Sequence, residues 1–401
     1  MTIQMTDTTT VALAAMTPEV RETVVRIMSS VGDDGVSLPR EAYTSEAFYE
    51  FEKEALFART WLYMCHVSEV PDHGSIKAVT VGDEPLLVTN NKGTINVVSA
   101  VCQHRGYAIA AEDGNANYLR CPYHYWTYGL DGRLMGAPSM TPKHDLDQLK
   151  ATACLPKLKV EIWEGLVFAN MDPNAASLIP TLEKLTPHVQ GYRIADLTVV
   201  HELVLADLPF NWKNMQENAL EEYHTTYVHK GWHENAPAHL VKHPEYENGD
   251  GMVFRHAYLV EKAGVPIPGF PNMPIIPNLP EEMKDYMLFF AVPPLNFAAV
   301  EAFGIKMFRI TPQSAGRTTL TITWMYPQET VDSPDWPELW EGQLDLINKI
   351  DYPDLESNTN MFKGLKSRFA PQGPLSHYER TLPQFNEWML ERYLTPLGQP
   401  V

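Results

Sequence analysis

Four residues in the first third of the chain have the types and spacing of metal ligands. They are Cys102 and His104 in V-C-Q-H-R-G, followed by Cys121 and His124 in L-R-C-P-Y-H-Y-W-T-Y. Two thiolates and two imidazoles can hold zinc or an iron-sulfur cluster. A zinc finger places both cysteines before both histidines, whereas here the two types alternate. The pattern therefore favours an iron-sulfur cluster over zinc.

The alternation of these four candidate ligands suggests two loops that face each other. Each loop would contribute one cysteine and one histidine, so that both cysteines bind one iron and both histidines bind the other. This is the ligand set of a Rieske [2Fe-2S] centre, whose imidazoles raise the reduction potential above that of an all-cysteine cluster. Four cysteines in 401 residues are too few for a disulfide framework, and the other two, Cys65 and Cys154, are predicted to be buried thiols.

A second group of candidate ligands lies in residues 211–229, N-W-K-N-M-Q-E-N-A-L-E-E-Y-H-T-T-Y-V-H, which have a helical pattern up to residue 226. His224 and His229 are five residues apart, and on a regular helix their side chains would point about 140° apart. They can share a metal if the helix ends or widens between them, and the β-branched residues after His224 are weak helix formers. On helix geometry alone, His229 and His233 are the more obvious pair.

Together the two groups resemble the Rieske non-haem iron oxygenases. The resemblance of the first group includes Arg105 and Gly106, the C-P-Y-H core and the W-T-Y-x-L-D-G-R-L run of residues 126–134. Tyr125 stands where the family often has Gly. In the second group, N-W-K, then E-N, then acid-x-Y-H-x4-H resembles the family's mononuclear iron signature. This resemblance favours His224 and His229 as the ligand pair.

The resemblance implies an Fe(II) site with two histidines and one carboxylate, which leaves positions open for dioxygen. In the family, the carboxylate lies ten residues before the Gly of a Q-x-G-L-type run. Here residues 362–365 read F-K-G-L, and counting back from Gly364 gives Asp354 as the third ligand. Asp351 and Glu356 are the alternatives.

Glu221 lies three residues before His224 and would share its face on a continuous helix. In the family this position is usually Asp, which bridges an iron histidine to a Rieske histidine of the neighbouring subunit. Such a carboxylate sets the tautomers of both imidazoles. Glutamate here resembles the branch that acts on quaternary ammonium compounds such as glycine betaine or carnitine. The adjacent Glu222 is the alternative bridge, although the spacing favours Glu221.

Hydrophobic patterning predicts an α+β protein. The expected domains are a helical lead-in (residues 1–45), a small antiparallel β Rieske domain (46–171) and a catalytic domain (172–401) with an antiparallel sheet and helices, the helix-grip fold implied by the resemblance. Residues 264–280 hold six prolines and are excluded from helix or interior strand. This segment is predicted to be either a surface connection or a lid over a pocket.

The chain has 31 Lys and Arg against 50 Asp and Glu among 401 residues, a net charge of −19. This charge argues against nucleic-acid binding, which requires positive potential. The N-terminal residues lack the pattern of a signal peptide or a mitochondrial presequence. The most apolar later stretch is interrupted by Pro293, Pro294, Asn296 and Glu301, so it cannot span a bilayer as a clean helix. The sequence therefore predicts a soluble cytoplasmic protein.

The resemblance implies the α subunit of a terminal oxygenase, which uses O2 to hydroxylate or oxidatively N- or O-dealkylate a small organic substrate. Electrons would come from NAD(P)H through a separate reductase, with or without a ferredoxin, and the chain has no Rossmann fingerprint of its own. A homotrimer is implied. The alternatives are an aromatic ring-hydroxylating dioxygenase and a Rieske electron carrier. The candidate pocket residues are Leu205, Phe210, Trp232, Phe289, Phe290 and Phe297.

Overall fold

The computed structural model describes residues 7–32, 34–109, 112–229, 231–243, 253–267 and 270–397. They form two compact units. One unit is Ala58–Leu178, and the other combines the described residues up to Phe57 with those from Ile179 onward. The boundaries predicted at residues 45 and 171 differ from this grouping. Residues 46–57 belong with the catalytic unit, and residues 172–178 belong with the other unit.

The N-terminal part of the catalytic unit is helical. Its helices are α1 (Asp7–Ala15), α2 (Pro18–Ile27), α3 (Glu41–Thr44) and α4 (Glu46–Glu52), and a π-helical turn follows at Lys53–Phe57. The Thr17 hydroxyl accepts a hydrogen bond from the Val20 N–H, and Ser45 caps α4 in the same way through Phe48.

A buried ion pair explains why residues 46–57 join the catalytic unit. Glu52 of α4 and Lys213 are both fully buried, and Lys213 Nζ lies 2.8 Å from Glu52 Oε1. The same carboxylate accepts hydrogen bonds from Trp212 Nε1 at 3.1 Å and from the Tyr393 hydroxyl at 2.6 Å. Burial lowers the pKa of Lys213, and the Glu52 carboxylate opposes this effect. Three distant parts of the sequence therefore meet at one carboxylate.

We expect Lys213→Ala to destabilise the catalytic unit by about 3–5 kcal/mol, because it leaves the Glu52 carboxylate buried without its cation. Urea unfolding of the iron-loaded protein measures this change. Glu50→Ala is the control, since Glu50 and Lys53 form an ion pair in which the glutamate is exposed, and such pairs contribute less than about 1 kcal/mol. Equal effects of the two substitutions would contradict the prediction.

The unit Ala58–Leu178 is built from short antiparallel strands and one short α-helix with no buried residue. Its elements are β1 (Leu62–His66), β2 (Ser75–Val81), β3 (Glu84–Asn91), β4 (Thr94–Ser99), β5 (Gly114–Asn115), β6 (Leu119–Arg120), β7 (Thr127–Tyr128), β8 (Leu134–Gly136), α5 (Leu146–Thr152), β9 (Lys159–Trp163) and β10 (Leu166–Asn170). They pair in three sheets, in the orders β1-β10-β9, β4-β3-β2-β5 and β6-β7-β8. The antiparallel β domain predicted from the sequence is confirmed.

The second part of the catalytic unit contains a large sheet and most of the helices. Its elements are α6 (Ile179–Glu183), α7 (Thr186–Val189), β11 (Leu197–Leu208), α8 (Trp212–Leu220), α9 (Thr225–Val228), β12 (Val241–Lys242), β13 (Val253–Tyr258), β14 (Tyr286–Ala291), β15 (Asn296–Glu301), β16 (Gly304–Ser314), β17 (Arg317–Pro327), α10 (Gln328–Val331), α11 (Trp336–Leu346), α12 (Tyr352–Leu365) and α13 (Thr381–Tyr393). A π-helical turn, Ile347–Asp351, joins α11 to α12. In the described chain as a whole, single 3-10 turns occur at Met28–Ser30, Val67–Glu69, Gln190–Tyr192, Ile194–Asp196, Ala238–Leu240, Glu281–Lys284 and His377–Glu379.

The seven-stranded sheet is antiparallel throughout, in the order β11-β17-β16-β15-β14-β13-β12. Helix α8 packs against α12 and α13 and contacts β15 and β16. An antiparallel sheet covered by helices is the α+β architecture predicted from the sequence, which is confirmed. None of the helices among the described residues is long and apolar enough to cross a membrane.

Helix α8 differs from its predicted extent. The sequence pattern predicts helix through residue 226, but α8 ends at Leu220 and Glu221 has the extended conformation (φ −122°, ψ 164°). A single helical turn, α9, follows after His224. The break separates the two candidate histidines from α8.

Candidate functional site

The two candidate cysteines of the Rieske unit lie in a pair of similar loops. Cys102 and Cys121 are both buried, at 2% exposure each, and belong to one apolar core cluster. In each loop the carbonyl of the cysteine accepts a hydrogen bond from a backbone N–H four residues later, that of Gly106 or Tyr125, at 2.9 Å. Burial raises the pKa of the Cys102 thiol, and the nearby Cys121 adds to the rise.

The two candidate histidines of the same loops lie side by side. The ring centroids of His104 and His124 are 4.8 Å apart. His104 stacks on Trp126 at 4.9 Å with an interplanar angle of 9°, which fixes the orientation of its ring. Nδ1 of His124 is buried and has no hydrogen-bond partner among the described residues. A buried ring nitrogen without a partner fits a metal ligand.

The four residues fit a two-iron cluster better than a single zinc ion. Among the described residues, three or more histidine, cysteine or carboxylate ligand atoms lie within 4.8 Å of one another only in the catalytic unit. The Rieske set therefore does not converge on one ion, as tetrahedral zinc requires. Two cysteines and two histidines spread over a wider space match a [2Fe-2S] cluster.

Backbone geometry explains why the family often has glycine at the position of Tyr125. This residue has φ of +60°, in the left-handed region, as does Gly106 (φ +74°) at the equivalent position of the other loop. Glycine adopts this region without a steric penalty, whereas a side chain costs roughly 1–2 kcal/mol. The backbone conformation at residue 125 therefore favours glycine, and Tyr125 adopts it at a steric cost.

In the catalytic unit, His224, His229 and Asp354 bring their ligand atoms within 4.8 Å of one another. The Nε2 atoms of the two histidines are 3.2 Å apart. Asp354 Oδ1 lies 3.5 Å from His224 Nε2 and 3.2 Å from His229 Nε2. Ligands about 2.1 Å from a metal and at right angles to one another would be about 3 Å apart, so the three residues fit a facial triad for Fe(II).

The local backbone resolves the problem of the five-residue spacing. His224 precedes α9 and His229 follows it, with φ −98° and ψ 62° at His229. Neither histidine is inside a regular helix, so the 140° separation does not apply. His233, the alternative partner, is outside the group of converging ligands.

The three acidic candidates near the C-terminus are distinct in position. Asp354 is in the first turn of α12 and faces the histidines. Asp351, in the π-helical turn, directs Oδ2 towards Lys306 Nζ at 4.0 Å, and Glu356 is exposed. Burial raises the pKa of Asp351, and Lys306 opposes this rise. The geometry favours Asp354 as the carboxylate ligand.

Glu221 contacts His224 through an extended segment and a turn, whereas the sequence predicted a shared helix face. Its Oε1 lies 2.5 Å from His224 Nδ1, while Oε2 accepts hydrogen bonds from the N–H groups of Tyr223 and His224. These contacts are made in an extended segment followed by a turn, and a shared helix face is absent because α8 has ended. Burial alone would lower the pKa of His224, but the hydrogen bond and charge of Glu221, together with Asp354, outweigh it and raise this pKa.

Glu222, the alternative bridge, points elsewhere. Its Oε1 lies 2.9 Å from His243 Nε2, and its Oε2 lies 3.7 Å from Arg255 Nε. Arg255 also donates to the carbonyl of Ala219 at the end of α8, at 2.7 Å. Glu222 therefore supports the segment after α8 and leaves Glu221 as the carboxylate at His224.

Two side chains that the sequence left without a role contact candidate ligands. The Tyr128 hydroxyl lies 3.3 Å from Cys102 Sγ and accepts a hydrogen bond from the Gln103 N–H at 3.1 Å. Asn218 Nδ2 donates to Asp354 Oδ1 at 3.3 Å. Both residues lie within the quoted family patterns, the W-T-Y run and the E-N pair, so their signal was present in the sequence. Hydrogen bonds of this kind orient ligands and tune the metal.

The six predicted pocket residues separate into one that lines a cavity and five that pack elsewhere. Trp232 lines a cavity together with the proline-rich segment. Phe210 and Phe290 are core residues, and Phe297 stacks on Phe308 at 4.3 Å. Phe289 packs against the Arg255 guanidinium at 4.6 Å, and Leu205 is half-buried on β11 opposite Leu320.

The fold and the two ligand groups define a class of protein: an oxygenase subunit with a Rieske cluster and a separate iron centre. The family model for the ring hydroxylating alpha subunit (catalytic domain) matches residues 194–395, and the model for the Rieske [2Fe-2S] domain matches residues 60–159. The chain belongs to the Rieske oxygenase α subunits, as the sequence patterns predict. Its cofactors are the [2Fe-2S] Rieske cluster and mononuclear non-haem iron.

The chain is also similar to individual proteins of this family. The carnitine monooxygenase oxygenase subunit of Acinetobacter pittii (strain PHEA-2) is 31% identical over 350 residues, which cover 83% of this chain and 86% of that protein. The corresponding subunit of Escherichia coli (strain K12) is 32% identical over 219 residues, 53% of this chain and 57% of that relative's length. The structure of a quaternary ammonium Rieske monooxygenase superposes with a TM-score of 0.77 at 23% identity, covering 94% of this chain and 99% of the other.

Proposed function

We propose that the protein is the terminal component of a multicomponent oxygenase that inserts one oxygen atom of O2 into a small organic substrate. The outcome is hydroxylation, or N- or O-dealkylation where the attacked carbon bears nitrogen or oxygen. The observation that carries the proposal is the convergence of His224, His229 and Asp354 in the same chain as the Rieske ligand set. An electron carrier needs the Rieske set alone.

The proposed ligands follow from the geometry of the two sites. Cys102 and Cys121 bind one iron of the cluster, and His104 and His124 bind the other. His224, His229 and Asp354 hold the mononuclear iron, which when bound supplies the site at which dioxygen is activated. Glu221 holds the proton on Nδ1 of His224, so that its Nε2 faces the metal, and Asn218 orients the Asp354 carboxylate.

The proposed substrate class is a small quaternary ammonium compound. It is supported by the similarity to carnitine monooxygenase oxygenase subunits and by glutamate at position 221. The alternative is cis-dihydroxylation of an aromatic ring, which the general family plan allows.

We also propose a homotrimer in which Glu221 faces a Rieske histidine of the neighbouring subunit. Glu221 and His224 line an open depression of about 560 Å³. Phe369, which is 86% exposed, lines the depression. In the proposed trimer the neighbouring subunit would cover this aromatic side chain. A separate reductase, with or without a ferredoxin, would supply electrons from NAD(P)H in the cytoplasm.

Iron quantitation tests the proposal. We expect three irons per chain, because two belong to the cluster and one to the triad. With a compatible reductase, carnitine or glycine betaine should stimulate NADH oxidation and yield an oxidised or dealkylated product. A chain with two irons and full redox activity would be a carrier, and formation of a cis-dihydrodiol from an aromatic acid would support the dioxygenase instead.

A further inference from the structure

A second cavity of the catalytic unit lies beside the proline-rich segment. Its volume is about 80 Å³, which leaves room for several water-sized groups and is well below the volume of a drug-sized pocket. Trp232 lines it on one side, and residues of the proline-rich segment, including Phe270, line it on another. Residues 268 and 269 of that segment lie outside the described residues. Described residues of the segment therefore line the cavity, and its role as a surface connection or a lid stays a prediction.

The cavity is lined by residues that lie close in the chain to, or in contact with, neighbours of the proposed iron ligands. Trp232 follows His229 by three residues, in a turn where the N–H of His233 donates to the His229 carbonyl at 3.0 Å. On another side, Lys306 lines the cavity and its Nζ lies 4.0 Å from Asp351, one turn before Asp354. A ligand in the cavity would therefore lie beside residues that neighbour the triad in the chain.

The aromatic lining suits a cation. The ring centroids of Trp232 and Phe270 are 5.4 Å apart with an interplanar angle of 48°, and the Tyr286 ring also lines the cavity. The faces of aromatic rings carry negative potential and attract organic cations, tryptophan most strongly.

The charges in and beside the cavity have a negative excess. Glu261, Glu301 and Lys306 line it, and Asp351 shares the Lys306 ammonium, so one cation stands against three acids. Burial raises the pKa of Glu301 to about 7; Lys306 opposes this rise and Asp351 adds to it. A cationic ligand beside Glu301 would favour its ionised form.

A buried amide in the cavity has no hydrogen-bond partner. Gln343 is 1% exposed and lines the cavity, and neither its Oε1 nor its Nε2 is hydrogen-bonded within the described part of the chain. Nδ2 of Asn235, which also lines the cavity and is 7% exposed, is likewise without a partner there. Buried amides without partners are costly, so these groups point to a polar ligand.

We propose that this cavity binds the onium group of an organic cation, with Glu301 as its counter-ion, Trp232 and Phe270 as its aromatic wall, and Gln343 as the partner of the ligand's remaining polar group. This inference rests on the proposed function, since it assigns residues of this chain to recognition of a quaternary ammonium substrate. It makes Glu301 and Trp232 specificity-determining residues.

Binding of a cation and of its uncharged analogue tests the proposal. The probes are choline and 3,3-dimethylbutan-1-ol, which has the same shape but carbon in place of the charged nitrogen. They are titrated calorimetrically into the iron-loaded full chain without oxygen. We expect choline to bind at least about ten-fold more tightly, Glu301→Gln to remove most of this preference, and Trp232→Leu to weaken choline binding more than that of the alcohol.

The control is Glu281→Gln, which removes a carboxylate whose side chain is 74% exposed and paired with Lys284. It should leave the preference for choline within about two-fold, because exposed charges are screened. Equal binding of the two probes to the unmodified protein would overturn the proposal, as would a Glu301→Gln variant that keeps the preference. If Glu301→Gln does not fold, the Trp232→Leu variant decides. Equal weakening of choline and alcohol binding in that variant would overturn the proposal.

The two proposals can fail separately. A chain with three irons and oxygen-dependent turnover but no preference for choline would overturn the cation pocket and leave the oxygenase function intact. A chain with two irons that still prefers choline would support the pocket and refute the oxygenase function.

Discussion

An Asp354→Ala variant is expected to retain two irons per chain and the absorption of the Rieske cluster, and to lose the third iron together with substrate oxidation. Asp354 Oδ1 is 3.2–3.5 Å from the Nε2 atoms of both histidines, so its removal leaves two of the three protein ligands. We expect turnover to fall on the order of 10³-fold or more, because the site can no longer hold its metal. Iron quantitation, the visible spectrum and coupled NADH oxidation measure the three effects.

Asp351→Ala is the matched control for this prediction. Asp351 is three residues away and equally buried, but it faces Lys306 and has no part in the converging group. It should keep the third iron. The assignment of Asp354 would be wrong if Asp354→Ala retained three irons and Asp351→Ala lost one.

For Glu221→Gln, we expect all three irons to be retained and turnover to fall by about 10–100-fold, the range found when a residue behind a metal ligand is changed. The amide has the same shape but no negative charge, so it no longer favours a proton on His224 Nδ1. Reduction of the cluster by the reductase should remain normal, while oxidation of the reduced cluster by substrate and O2 becomes slow. Stopped-flow absorbance at the cluster band separates these steps.

Glu222→Gln is the control for Glu221, since it changes the neighbouring glutamate, which contacts His243 and Arg255. This variant should be less stable towards urea but should oxidise its reduced cluster at a near-normal rate. Normal turnover of Glu221→Gln would show that Glu221 is not the bridge. Slow oxidation of the reduced cluster in Glu222→Gln alone would instead indicate Glu222.

The Rieske ligands could be selected from the sequence because their chemistry restricts both residue type and spacing, whereas His224, His229 and Asp354 were selected through the family resemblance. The two Cys-His pairs and the His224 and His229 pair are local patterns, and Asp354 was reached by counting from a short run near Gly364. The structure places His224, His229 and Asp354 together. The antiparallel strands and the α+β class were likewise readable, because the alternation of apolar residues is a local property.

The features that sequence reasoning missed depend on long-range packing. No local pattern shows that Glu52 and Lys213 would meet, yet this contact assigns residues 46–57 to the catalytic unit. The end of α8 at Leu220 was also missed, because Glu221 and Glu222 are good helix formers that tertiary contacts hold in other conformations. Five of the six aromatic or aliphatic pocket candidates pack in the core or on the sheet, where such residues are most common.

The widened turn at Ile347–Asp351 sets the rotational phase of the helix that carries the proposed iron carboxylate. Each residue of an α-helix advances the chain by about 100°, so one additional residue in a turn rotates everything beyond it by about that angle. With the turn as it is, Asp354 faces His229 and Asp351 faces Lys306. Deleting one residue within Ile347–Asp351 would shift that phase and point Asp354 away from the histidines, although every ligand would still be present in the sequence.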